Sequence, residues 1–197
     1  MEVSLSNMLK NSYKHYHARG VNYLCLQNTW RLRLKAYFFD QPSGPAGVVS
    51  PHDHRYSFTN HVLTGAVKDT LYTASKYGEQ FFEYSWRSPL SRADLTPLYS
   101  PVAPTKLVLY HADVVAEGLS YQRGRGEIHS LQILEPRTII VQEEKKTPSA
   151  PLRSRVFMRT EKFPTLEGLY EKFEPGEIVR LVGELNDRAG MSLSLSP

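Results

Sequence analysis

The chain has 197 residues, 41% of them hydrophobic and 22% charged, which suits one domain with a substantial core. Lys and Arg outnumber Asp and Glu by 24 to 20, but the basic residues are scattered, so the net charge of +4 argues for neither nucleic acid nor a membrane surface as partner. One cysteine, Cys25, excludes an internal disulfide framework and a multi-cysteine zinc site.

No stretch approaches the roughly 20 apolar residues of a membrane span, and the Met1 end lacks a signal-peptide plan, so a reducing, cytoplasmic setting is expected. Val3, Leu5, Met8 and Leu9 fall at helical spacing, predicting a helix within residues 1–20 that ends near Gly20. From Val21 the period becomes two. Val21, Tyr23 and Cys25 alternate with other residues, and Leu32 and Leu34 alternate with Arg31, Arg33 and Lys35.

Residues 41–51 read as a Gly/Pro/Ser loop. Strands are then predicted at 57–63, 66–74, 80–86, 106–116, 127–134, 138–142 and 154–160. Pro-rich 88–104 reads as a long connection and 143–151 as a second polar loop, with Glu143 and Glu144 on solvated surface. Helical spacing returns at Leu166, Leu169, Tyr170 and Phe173, and again at Ile178, Leu181, Val182 and Leu185, in a helix starting near Pro175. The expected architecture is mainly β: a sandwich or small barrel over 21–160, an N-terminal helix in 1–20, and a helical extension over 161–197 that packs on the core or forms a homodimer.

Seven histidines are the main stock of metal or acid–base chemistry. His52 and His54 stand at i and i+2, which on an extended segment puts both imidazoles on one face. Gly65 follows at the end of the next apolar run. Far downstream, Gly118, Gly126 and His129 form a glycine-punctuated segment with a third histidine.

This spacing resembles the cupin superfamily. Its first motif is H-x-H, three or four residues, Glu, six residues, Gly; its second is Gly, five residues, Pro, one residue, Gly, two residues, His, three residues, Asn. His52, His54 and Gly65 match the first in register, and Phe58 stands where the Glu ligand is usual. Gly118, Gly126 and His129 match the second, with Gly124 in place of Pro and Ile133 in place of Asn. The resemblance covers residues 21–142 and implies a cupin-type β-barrel, a double-stranded jelly roll.

It also implies a metal bound by His52, His54 and His129 with no carboxylate. Imidazole ligands suit Fe, Zn, Ni and Cu, with Mn a further candidate. A three-histidine iron site is that of the thiol dioxygenase branch, and Gly65-Ala-Val-Lys-Asp-Thr-Leu-Tyr72 after the H-D-H is similar to cysteine dioxygenase. The tyrosine crosslink of some cysteine dioxygenases cannot form at Phe58. The implied activity is Fe(II)-dependent dioxygenation of a small thiol or related anionic metabolite, with dioxygen as co-substrate. Cupin isomerase or lyase chemistry and a non-catalytic binding module remain alternatives.

Arg33, Arg31 and Arg55 are candidates to hold a substrate carboxylate, because a guanidinium binds it bidentately. Tyr72 and Tyr110 are candidate hydroxyl contacts. His61, out of phase with His54, should face the opposite side. His111 is expected in the core or behind a ligand, and His15 and His17 in solvent. Asp53 should point away from the metal and anchor the turn, and Cys25 should be a small buried hydrophobe. Gly124-Arg-Gly126 is too short a glycine pattern for a phosphate loop.

Overall fold

The computed structural model describes residues 1–44, 47, 50–87, 99–145, 153–162 and 166–196. Its elements in chain order are β1 (Glu2–Ser4), α1 (Leu5–Asn11), β2 (Val21–Asn28), β3 (Leu32–Phe39), β4 (Ser57–Thr64), β5 (Ala66–Trp86), β6 (Tyr99–Ala116), β7 (Ser120–Arg123), β8 (Ile128–Ile133), β9 (Thr138–Lys145), β10 (Ser154–Met158), α2 (Pro175–Ala189) and β11 (Ser194–Ser196). The fold is mainly β, with two facing antiparallel sheets, the arrangement of a jelly-roll barrel. One antiparallel sheet runs β2-β3-β9-β4-β7; the other runs β10-β5-β6, with β8 also paired to β5.

The two sheets enclose a core of Val21, Phe39, Phe58, Val62 and Ile140 from the first and Val67, Val115 and Ile133 from the second. A separate core lies on the outer face of the five-stranded sheet. There Leu24, Leu26, Ala36, Phe38, Ile139 and Val141 meet Ile178, Leu181, Val182 and Leu185 of α2. These four residues at i, i+3, i+4 and i+7 make the apolar stripe of α2. The helix begins with Pro175 after a reciprocal Glu174–Glu177 capping box and ends at left-handed Gly190.

The five-stranded sheet is thus covered on both faces, and this reverses a simple reading of β3. Leu34 packs toward the helices, while Arg33, Lys35, Tyr37 and Phe39 line the barrel interior. Lys35, only 2% exposed, is among the largest fully buried side chains.

Several expected boundaries move. Helix α1 is short, and 13–20 leave it for an irregular course tied by the bridges Tyr13–Tyr23 and Lys14–Glu171. His15 and His17 adopt φ of 52° and 65° there, which a helix cannot accommodate. The helix expected at 166–173 is instead a turn, broken by Gly168 at φ 68° and Tyr170 at φ 60°. The strands expected at 66–74 and 80–86 are one strand, β5, with a bulge whose register jumps between Ala74 and Glu79. Gly78 makes the bulge possible: a Cβ there would sit 2.4 Å from the Leu107 carbonyl oxygen. Within the expected connection 88–104, residues 99–104 belong to β6 and 88–98 lie outside the described residues. Residues 143–145 extend β9, and 146–151 likewise lie outside.

Gly65 turns β4 into β5 at φ 76°, and a Cβ would lie 2.2 Å from the Thr138 hydroxyl oxygen. Gly65→Ala is therefore expected to cost at least about 1–3 kcal/mol, lowering Tm by several degrees in a thermal melt.

Candidate metal centre

Residues 51–53 are stitched between β8 and β10. His52 and His129 exchange both backbone hydrogen bonds, His52 N to His129 O and His129 N to His52 O, each 2.9 Å. The Phe157 amide donates to the Pro51 carbonyl at 2.8 Å and the Asp53 amide to the Arg155 carbonyl at 3.0 Å. A directly opposed antiparallel pair puts its two side chains side by side. Alternation then brings His54 to the same face and turns Asp53 away. The Asp53 carboxylate accepts the Arg155 backbone N–H and Nε–H, each at 2.7 Å, so it anchors this segment as expected.

The result is a cluster of three imidazoles. His54 Nε2 lies 3.1 Å from His52 Nε2 and 3.1 Å from His129 Nε2. Two imidazole nitrogens bound to one ion at about 2.0–2.1 Å stand about 2.9–3.4 Å apart at octahedral to tetrahedral angles, so the spacing fits a metal.

The donor chemistry fits as well. Burial pushes the His52 pKa down to about 3, reinforced by His129, against a backbone hydrogen bond to Ser50. Burial lowers His54 well below its usual value, and His52 and His129 add to the shift. Neutral imidazole has one N–H. His52 Nδ1 lies 3.0 Å from the Ser50 carbonyl and His129 Nδ1 lies 2.7 Å from Asp69 Oδ1. Both acceptors lack hydrogens, so the neutral form of each ring carries its proton on Nδ1 and turns its Nε2 lone pair to the cluster. With His54 Nε2 3.1 Å from each, the three ring nitrogens form a donor set that could hold one metal ion.

Asp69 was not singled out by the sequence. It is fully buried on β5, and its other oxygen accepts Arg123 Nε–H at 2.6 Å, with a second Arg123 nitrogen also paired. This gives a guanidinium–carboxylate–imidazole relay behind the metal position. A buried acid in the apolar-flanked strand Val67–Leu71 was the available signal. Phe58 packs where the usual carboxylate ligand is absent, its ring centroid 4.8 Å from His54 and 5.6 Å from His129.

The cluster opens into a cavity of about 530 Å³ between the sheets. Arg33 and Arg55, two of the candidate carboxylate anchors, line it. The others fall elsewhere. Tyr72 does not line this cavity; its hydroxyl pairs with Ser130 Oγ at 3.2 Å. Arg31 stacks on Trp30, whose side is exposed, and Tyr110 is 55% exposed. His61 faces outward to Ser120 and Glu143, in keeping with its phase. His111 corrects the expectation of a core role: it is half exposed on β6 and pairs with Asp113 at 2.8 Å. His17 is a correction too. It lines the cavity rather than solvent, its Nδ1 2.8 Å from the Tyr170 hydroxyl, with burial pushing its pKa down to about 3. Cys25 is buried as expected, on the cavity side of β2.

The largest departure is Glu144. It is not solvated surface but 3% exposed, paired with Lys35 at 2.5 Å and Arg33 at 3.6 Å. The alternation Ile140, Gln142, Glu144 simply continues past the expected end of the strand. Lys35 also donates to the Tyr56 hydroxyl at 3.2 Å and to Gln142 Oε1 at 3.4 Å. Gln142 Nε2 donates to Asn60 Oδ1 at 3.1 Å, and Asn60 Nδ2 to the Tyr121 hydroxyl at 2.7 Å. A polar row therefore crosses β3, β9, β4 and β7 inside the barrel, every member supported by its neighbour. No described helix is long and apolar enough to cross a membrane.

No family model matches the chain, and no curated protein matches it. Among solved structures it is similar to KdgF from Halomonas sp., with 15% identity over 65% of this chain and 82% of that one and a TM-score of 0.38. It is similar to an RmlC-like cupin from Shewanella frigidimarina, with 13% identity, coverage of 71% and 88% and a TM-score of 0.38. An oxalate decarboxylase variant from Bacillus subtilis is 12% identical, over 94% of this chain and 39% of that one, with a TM-score of 0.43.

Proposed function

We propose that the chain is a mononuclear non-haem metal enzyme that dioxygenates a small thiol or a related small anionic metabolite. His52, His54 and His129 would hold the metal, Fe(II) first among the candidates. The observation behind this reading is the convergence of three imidazole nitrogens, on two half-buried rings and one buried ring, with the Nδ1 atoms of His52 and His129 engaged by oxygen acceptors and Phe58 beside them. Iron held there would supply Lewis acidity and the redox capacity for adding dioxygen to sulfur, RSH + O2 giving RSO2H.

The protein's own groups bind and orient. Arg33, Lys35 and Arg55 on the cavity wall outweigh Glu144, and Asp53 is tied to Arg155, so the cavity favours an anion. Arg33 and Arg55 are suited to a carboxylate, and the Tyr56 hydroxyl, accepting from Lys35, turns its own proton away from Lys35. Asp69 keeps the His129 proton on Nδ1. A small-molecule substrate, dioxygen and a cytoplasmic setting complete the reading.

Metal content after purification without added metal tests it. Iron near one equivalent is expected in the wild type and almost none in His52→Ala, followed by oxygen uptake with small thiols in the wild type only. Negligible metal in both proteins would refute the site, and turnover without oxygen uptake would favour isomerase or lyase chemistry.

A further inference from the structure

The cavity wall is rich in phenols: seven of its lining residues are tyrosines. Tyr16 lies at its centre, with ring centroids 4.5 Å from Tyr23 and 6.1 Å from Tyr37, while Tyr23 and Tyr37 are 5.5 Å apart. Among the described residues, the hydroxyls of these three make no hydrogen bond to a protein group. These three tyrosines line the cavity, where a hydroxyl without a protein partner is open to a ligand, whereas the neighbouring Tyr56 and Tyr121 have their partners. Burial, the largest influence on each, raises the pKa of Tyr16, Tyr23 and Tyr37, so all three keep their protons and can donate.

These donors surround a charged centre. Arg33 and Lys35 lie on the same face of β3 as Tyr37, and Tyr23 pairs with Tyr37 across β2 and β3. At the rim, Trp86 meets His17 edge-on at 5.1 Å, and the strained backbone at His17 and Tyr170 holds two further rings against the cavity. A volume of about 530 Å³ falls in the range of about 300–1,000 Å³ usual for ligand sites and leaves much of the space empty around an aliphatic thiol.

We infer that the substrate carries an aromatic body: a hydroxylated aromatic carboxylate, its carboxylate at Arg33 and Arg55, its ring against the tyrosine wall, and its ring oxygens receiving the free phenol protons. Flat rings bind best to such a wall edge-on or offset-stacked. The inference rests on the reading of this cavity as a substrate site and, of the two substrate classes proposed above, takes the anionic metabolite rather than the thiol.

Isothermal titration of the iron-loaded protein with 4-hydroxybenzoate, cyclohexanecarboxylate and propionate tests it. Binding of 4-hydroxybenzoate about tenfold or more tighter than either aliphatic acid is expected. Arg33→Gln should weaken it about tenfold, and Tyr37→Phe and Tyr16→Phe each several-fold, with the melting temperature checked in each variant. Equal affinity for cyclohexanecarboxylate, or wild-type affinity in both well-folded Tyr→Phe variants, would overturn the inference. The same titrations on chelator-stripped protein separate the two claims. Iron binding and aliphatic thiol turnover without aromatic binding would sink only the aromatic substrate. Aromatic binding by a protein that takes no metal would sink only the metal enzyme.

Discussion

Asp69→Asn is expected to weaken metal binding by about tenfold and Asp69→Ala by about a hundredfold, even though Asp69 would not touch the metal. The carboxylate fixes the His129 proton on Nδ1, leaving Nε2 bare, and the negative charge raises the donor strength of the ring. Asn can still accept from Nδ1–H but brings no charge; Ala does neither. Arg123 reads out a different part of the relay. Arg123→Met leaves the buried Asp69 carboxylate without its guanidinium partner, so the main loss should be in stability. Competition against a chromophoric chelator, on protein shown to be folded by its melt, measures the affinities. Unchanged affinity in a folded Asp69→Ala protein would show that His129 needs no orienting partner.

The second large effect is expected at the Lys35–Glu144 pair. Glu144→Leu should destabilise the fold by about 3–5 kcal/mol, because Lys35 would be left 2% exposed with no anion beside it. For a chain of this length that is a fall in Tm of about 6–20 °C. Lys35→Met should cost less, since Arg33 remains beside Glu144. The double variant Lys35→Met/Glu144→Leu should recover a large part of the loss, and the double-mutant cycle should give a strong coupling. Additive single losses would mean that the two charges are held by other partners.

The pair also sets a pH dependence. Burial would raise the Glu144 pKa, but Lys35 and Arg33 outweigh it and hold the carboxyl below its usual value. A depressed carboxylate contributes stability that is present above its unfolded pKa and lost as the pH falls through its folded value. Stability of the wild type should therefore fall more steeply in acid than that of the double variant.

The sequence by itself determined the alternating strands, the apolar stripe of α2 and the three histidines. H-x-H on an extended segment fixes the direction of two side chains locally, and the spacing of Gly118, Gly126 and His129 marks the third. Which face of a strand is interior is not a local property. Glu144 reads as solvent-facing, and the alternation of Leu32 and Leu34 with Arg33 and Lys35 does not say which face is interior; α2 covers the apolar face and the barrel encloses the polar one. Pairing across strands then decided their charges and partners, as it decided that Asp69 stands behind His129. The same holds for His17: only the bridges from 13–14 to Tyr23 and Glu171 fold that segment over the barrel mouth and turn a residue expected in solvent into cavity wall. Local periodicity fixes where a side chain points along its own strand; burial, and with it charge state and chemistry, depends on what the rest of the chain places opposite.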